Sequence, residues 1–198
     1  MAVPPPHPSA DPPESHAAAK AAMRREMLAR REDFAGRAPP PFVAPAPLLA
    51  LLRDAKVVAG YVAMAGEADP APLLTTAHAH GCTLALPHVT TRAEPMRFLR
   101  WSPGEALIPG PFGLRQPAAD QPELTPDLLL IPLVAFDARG HRLGHGAGYY
   151  DRALAALPRA ARIGIAWSIQ QVPQVPVDPW DVPLHAILTE TDWIIPAS

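Results

Sequence analysis

The chain has 198 residues, a formal net charge of −2 and 48% hydrophobic residues, which suits one domain with a sizeable core. A charge so near neutral argues against a nucleic-acid or membrane-surface protein, and the lone Cys82 excludes an internal disulfide framework and fits a reducing compartment. The N-terminal MAVPPPHPSADPPESH has neither a basic nor an apolar signal region, and no apolar run reaches membrane-span length. A cytoplasmic protein is therefore expected, without a membrane or nucleic-acid partner.

Proline is abundant, with 28 residues. Residues 1–14 read as a disordered proline-rich arm and residues 15–198 as a single domain. From Ser15, a candidate N-cap, to Arg37 the pattern is helical: Lys20 and Arg24 share a face, while Met23, Met27 and Phe34 supply an apolar stripe. On spacing alone those two cations make an ordinary solvated face. The cluster Pro39-Pro40-Pro41 with Pro45 and Pro47 is a stiff connector. Residues 46–54 predict a second helix and Lys56–Met64 a strand, after which Ala65–Pro70 forms the loop at its carboxyl end, where open α/β sheets hold ligands.

Pro70 to His80 predicts a helix ended by Gly81, and Cys82–Pro87 a strand. His78, His80 and Cys82 have the wrong spacing for zinc, since positions i and i+2 on a helix diverge and Cys82 starts another element. No base lies beside Cys82 in sequence to make it a nucleophile. His88 falls at the strand end near the expected site. Met96–Trp101 alternates as an edge strand does, and a turn-rich loop runs from Ser102 to Pro117.

The centre of the chain is Asp127–Leu154. Its apolar run Leu128–Phe136 suits a strand buried on both faces. A turn at Asp137–Gly140, the glycines 144, 146 and 148, and a helix from Tyr149 to a stop at Pro158 follow. Alternate glycines before a helix N-terminus let backbone N–H groups approach an anion, although the same pattern serves a tight strand-to-helix connection. The order is neither the dinucleotide G-x-G-x-x-G nor a P-loop. Farther on, Ala161–Trp167 and Ile187–Glu190 predict strands.

The stretch Arg142-Leu143-Gly144-His145-Gly146-Ala147-Gly148-Tyr149-Tyr150-Asp151 resembles the signature of the 5-formyltetrahydrofolate cyclo-ligase family. Lys20-Ala21-Ala22-Met23-Arg24 is similar to that family's Lys-x-x-Leu-Arg element, and Val175–Leu184 to its closing segment, so the resemblance spans roughly residues 18–192. It implies a three-layer α-β-α, Rossmann-like domain with a mostly parallel sheet, as the alternation of strands and helices does independently.

The resemblance further implies an ATP- and Mg²⁺-dependent cyclisation of 5-formyltetrahydrofolate to 5,10-methenyltetrahydrofolate through a phosphorylated formyl group, releasing ADP and phosphate. It assigns ATP to Lys20, Arg24 and residues Arg142, Leu143, Gly144, His145, Gly146, Ala147, Gly148, Tyr149 and Tyr150. The folate falls to Tyr61, Val62, Met64 and Glu67 with His145–Tyr149, the metal to Asp151 and Asp181, and catalysis to Lys20, Arg142 and Tyr149. A monomer is expected. Two departures stand out: Ala147 lacks a lysine found in some members, and His185 replaces a frequent aspartate. They leave open a non-catalytic folate-binding relative, while the charge speaks against an RNA-linked interaction protein.

Overall fold

Leu128, Leu129, Leu130 and Ile131 are all buried, and that two-sided burial makes them the centre of the sheet. A computed structural model describes residues 13–197. In chain order its elements are α1 (Pro13–Ala35), α2 (Ala46–Asp54), β1 (Val57–Ala59), α3 (Ala71–Ala79), β2 (Thr83–His88), β3 (Arg97–Arg100), β4 (Ile108–Pro109) and β5 (Arg115–Gln116). There follow β6 (Leu128–Pro132), β7 (Ala135–Phe136), β8 (Arg142–Leu143), α4 (Tyr149–Ala156), β9 (Ala161–Ile165), β10 (Ala186–Leu188) and β11 (Trp193–Ile194).

The main sheet has seven strands in the order β11-β10-β9-β6-β1-β2-β3. Its five inner strands run parallel, and β3 and β11 pair antiparallel at the two edges. Side-chain alternation divides the core. Leu128 and Leu130 pack with Leu48 and Leu52 of α2 and Leu73, Leu74 and Ala77 of α3, whereas Leu129 and Ile131 pack with Ala153 and Leu154 of α4. The expected three-layer α-β-α architecture with a mostly parallel sheet is thus observed. A smaller cluster joins Met27 of α1 to Val134, Ala135 and Leu143, seating α1 on the β7–β8 hairpin.

Several boundaries differ from the sequence reading. Helix α1 begins at Pro13, a residue suited to a first turn, so Ser15 lies inside the helix rather than at its cap. The proline arm otherwise lies outside the described residues. The run 128–136 is two strands: Gln170, fully buried, donates its side-chain amide to the carbonyls of Leu133 and Val134 at 2.7 and 3.0 Å, and the ladder breaks there. The Asp137–Gly140 turn then closes the hairpin onto β8. The predicted strand 56–64 keeps only three ladder residues. At Gly60 a side chain would meet Leu74 at 2.7 Å, and beyond it the chain leaves the sheet to form a cavity wall. Strands β4, β5 and β11 are too short to leave an apolar period in the sequence.

Candidate functional site

A cavity of about 520 Å³ opens above the carboxyl ends of β1, β2 and β6, the position that the fold favours for ligands. Tyr61, Val62, Met64 and Glu67 enter from the segment after β1, and Lys20 and Arg24 from α1. Arg142, Leu143, the 144–148 loop, Tyr149, Tyr150 and Asp151 form the floor and Asp181 a side, so every site residue expected from the sequence lines this one cavity. His88 does not line it. Its Nδ1 lies 3.0 Å from the Pro117 carbonyl oxygen, a structural contact. Gln116 is structural too, clamping the backbone of Val89 through both ends of its amide.

One end of the cavity is built on a buried carboxylate. Glu67 accepts from the Met64 N–H at 2.9 Å, from His145 Nε2 at 3.1 Å and from Arg31 Nη1 at 3.5 Å. Gly66, at φ +77, turns the chain sharply enough to bring that acid inward. Burial alone would raise the Glu67 pKa, but the His145 hydrogen bond, the Met64 N–H and Arg31 overcome it and hold the acid below its ordinary value. Tyr61 beside it is pushed well up by burial and by the Glu67 charge, and its hydroxyl donates to the Ala68 carbonyl.

The other end gathers three cations, two of them paired with carboxylates. Lys20 Nζ sits 2.7 Å from Asp178 and 2.9 Å from Asp181. Burial opposes its charge, yet those two hydrogen bonds raise its pKa above the usual lysine value. Arg24 Nε donates to the Gly144 carbonyl at 2.8 Å, and its guanidinium carbon would lie 3.3 Å from a side-chain carbon at Gly146, where φ is +92. Glycine is therefore required for the loop to fold over this arginine. Arg142 is buried and donates to Asp151 and to the Val182 carbonyl. Burial lowers its pKa against the opposing pull of Asp151 and Asp181. Gly148, at φ +66, hands the chain to α4, whose first residues Tyr149, Tyr150 and Asp151 line the same cavity.

The two tyrosines differ. Tyr149 donates its hydroxyl to the Thr91 carbonyl at 3.0 Å, with Arg152 over its ring. Tyr150 has a buried hydroxyl with no hydrogen-bond partner among the described residues. Burial first, then the nearby Glu67 charge, pushes its pKa far above the ordinary tyrosine value, so it remains a protonated donor.

Sequence reasoning missed Asp178 and Arg31. Arg31 had a signal, since positions 20, 24, 27 and 31 repeat at helical spacing and place it on the face of Lys20. Asp178 had none, because its pairing with Lys20 spans the chain. Arg92, Phe112 and Arg115 at the rim were also missed, with Arg92 stacked 5.5 Å over the Phe112 ring. His185, in contrast, stands away from the cavity walls and engages Arg162 through both ring nitrogens.

As to a metal, no group of three or more His, Cys, Asp or Glu side chains is gathered among the described residues. Asp151 and Asp181 nevertheless both border the cavity. That donor set fits Mg²⁺, which takes one or two carboxylates and completes its shell with phosphate oxygens and water.

A mostly parallel α/β sheet with a cavity at its carboxyl end, Glu67 at one side and the glycine loop with Lys20 and Arg24 at the other, is the architecture of a Rossmann-like α/β domain. The model of the 5-formyltetrahydrofolate cyclo-ligase family matches residues 16–190. The chain belongs to that family and is an enzyme of it. It is 36% identical over 144 residues to the 5-formyltetrahydrofolate cyclo-ligase of Haemophilus influenzae, covering 69% of this chain and 76% of that one. Against the Escherichia coli K12 enzyme of the same name it is 34% identical over 142 residues, covering 68% and 78%. The solved structure of Aquifex aeolicus 5,10-methenyltetrahydrofolate synthetase superposes with a TM-score of 0.71 at 28% identity, covering 90% of this chain and 93% of that one. No described helix is long and apolar enough to cross a membrane.

Proposed function

We propose that the protein converts 5-formyltetrahydrofolate to 5,10-methenyltetrahydrofolate at the expense of ATP, through a phosphorylated formyl oxygen. The observation that carries this reading is the polarity of the cavity: an ionised, buried Glu67 at one pole, Lys20, Arg24 and the glycine loop at the other. A reduced pterin is rich in N–H donors, and Glu67 is an acceptor held in place by three donors of its own. A triphosphate is an acceptor throughout, and the opposite pole supplies cations and backbone N–H groups.

In this reading Tyr61, Val62 and Met64 flank the pterin and Glu67 fixes its orientation. Lys20 and Arg24 hold the phosphate oxygens, Arg142 keeps the Asp151 carboxylate facing the cavity, and the 144–148 N–H groups close around the transferred phosphoryl group. Asp151 and Asp181 would hold Mg²⁺, which would neutralise part of the phosphate charge. The formyl oxygen is a poor leaving group until phosphorylated, after which N10 attacks the carbon. The chain's contribution is alignment and charge stabilisation. At the rim, Arg92 and Arg115 have no carboxylate partner among the described residues. With Phe112 they suit the p-aminobenzoyl-glutamate part of the substrate.

The test is absorbance of purified protein mixed with 5-formyltetrahydrofolate and Mg-ATP, beside a mixture lacking ATP. ATP-dependent methenyl product with stoichiometric ADP is the expected result. Binding of the folate with no ATP-dependent product would overturn it.

A further inference from the structure

We propose that His145 is the general base of the cyclisation, its Nδ1 taking the proton that N10 loses as it bonds to the activated formyl carbon. The inference rests on the cyclo-ligase reading. His145 belongs to the 144–148 loop, and its neighbours Gly144 and Gly146 lie against Arg24, yet its ring reaches across to Glu67, with Nε2 3.1 Å from Oε1. One side chain thus connects the phosphate loop to the acid that holds the pterin, and the formyl group is the part of the substrate that must span that interval. An ionised carboxylate can only accept. Glu67 therefore fixes the proton of the neutral imidazole on Nε2 and leaves the lone pair on Nδ1. No described residue bonds Nδ1, and the side chain, 38% exposed, lines the cavity.

His145 is the only histidine among the described residues that line the cavity. The carboxylates there are taken: Glu67 by three donors, Asp178 and Asp181 by Lys20, Asp151 by Arg142. Around the imidazole the charged groups are Glu67 from the segment after β1 and Arg31 and Arg24 from α1, while burial keeps Tyr61 and Tyr150 protonated. The chemistry balances without a further reactant. The formyl oxygen attacks the terminal phosphorus of ATP, and ADP leaves with the electron pair of the broken bond. N10 then bonds to the activated carbon and becomes positively charged. While N10 keeps its proton it is itself a good leaving group, and the step reverses. Transfer of that proton to Nδ1 commits the intermediate: the carbon–oxygen bond breaks, its pair departs on phosphate, and the N10 lone pair completes the methenyl bridge. The imidazolium so formed rests against the Glu67 carboxylate and then releases its proton to solvent.

His145→Gln keeps an amide that can donate to Glu67 but has no basic nitrogen. Rapid-quench single turnovers with 5-formyltetrahydrofolate and Mg-ATP, run across pH, would follow ADP and methenyl product separately, beside calorimetric binding of the folate. The expected result is unchanged folate affinity, unchanged ADP formation, and methenyl formation slowed by about 10²-fold. In the unaltered protein the methenyl step slows as pH falls, because the base must be neutral to act, and the variant loses that dependence. Methenyl formation at the unaltered rate would overturn the proposal. So would a slowed variant that keeps the acid dependence, an equal slowing of ADP formation, which assigns His145 to the phosphates, or a loss confined to folate affinity, which assigns it to holding Glu67. If the unaltered protein forms no product, the cyclo-ligase reading fails and this assignment falls with it.

Discussion

Replacing Glu67 by glutamine takes one charge out of a buried cluster and leaves its shape nearly intact. The Arg31 and Glu67 side chains are 5% and 4% exposed, so solvent screens their interaction little. The amide oxygen can still accept from the Met64 N–H, but an NH₂ group then faces Arg31 or His145, both donors toward this site. Neutralising one member of a buried pair costs about 3–5 kcal/mol. The 3.5 Å separation is loose for an ion pair, which sets the expected loss near the bottom of that range, about 3 kcal/mol. For a chain of this size that lowers the unfolding midpoint by roughly 6–12 °C. Calorimetric or fluorescence melting at pH 7 measures it, and a midpoint within about 2 °C of the unaltered protein would refute the charged-cluster argument. The pH dependence is a second check. The folded-state pKa of Glu67 is depressed, so its contribution is complete above the unfolded carboxyl value of about 4.3 and is lost as pH falls through the lower folded value. The difference between the two proteins must therefore narrow in acid; a constant difference would mean that the effect is steric.

Lys20→Ala removes the ammonium held by Asp178 and Asp181 and is expected to weaken Mg-ATP binding by about 10- to 100-fold, the size of one charged hydrogen bond; unchanged calorimetric affinity would remove Lys20 from the phosphate site. Gly146→Ala forces a left-handed backbone on a residue with a side chain at φ +92, at about 1–2 kcal/mol, and pushes on Arg24. Its expected signature is a raised KM for ATP with folate affinity retained, and a loss confined to folate would refute it. Arg92→Ala and Arg115→Ala should each raise KM for 5-formyltetrahydrofolate several-fold, with kcat unchanged and an effect that shrinks as salt is added. A fall in kcat instead would place these side chains in the chemistry rather than on the substrate tail.

How far the sequence could be read depended on the range of each interaction. The helical period of α1, the start of the apolar run at β6 and the glycine loop before α4 are local patterns, and each element formed there, with its ends set by more distant contacts. The ending of β1 at Ala59 was not legible, because Gly60 is dictated by Leu74 from α3. Nor was the break after Pro132, where Gln170 takes two carbonyls from the ladder. The cavity residues were found through resemblance rather than spacing: Lys20 and Asp181 are far apart in the chain and meet only when α1 crosses the sheet ends. His185 drew notice as a departure, yet it lies outside the cavity lining and bonds Arg162, so local mismatch was a poor guide to the site.

Helix α1 carries Lys20 beside Asp178 and Asp181, Arg24 against the glycine loop, Met27 in the core and Arg31 against Glu67. At 1.5 Å per residue the interval from Lys20 to Arg31 is roughly 16 Å, which makes this helix the ruler of the cavity: its rise sets how far Lys20 stands from the arginine that holds Glu67. Outward-facing positions such as Arg25 and Glu26 are open to exchange, but the count between the anchors is not. Removing one residue between Arg24 and Arg31 would swing Arg31 by about 100°, turning its guanidinium away from Glu67 while Lys20 and Arg24 stayed in register.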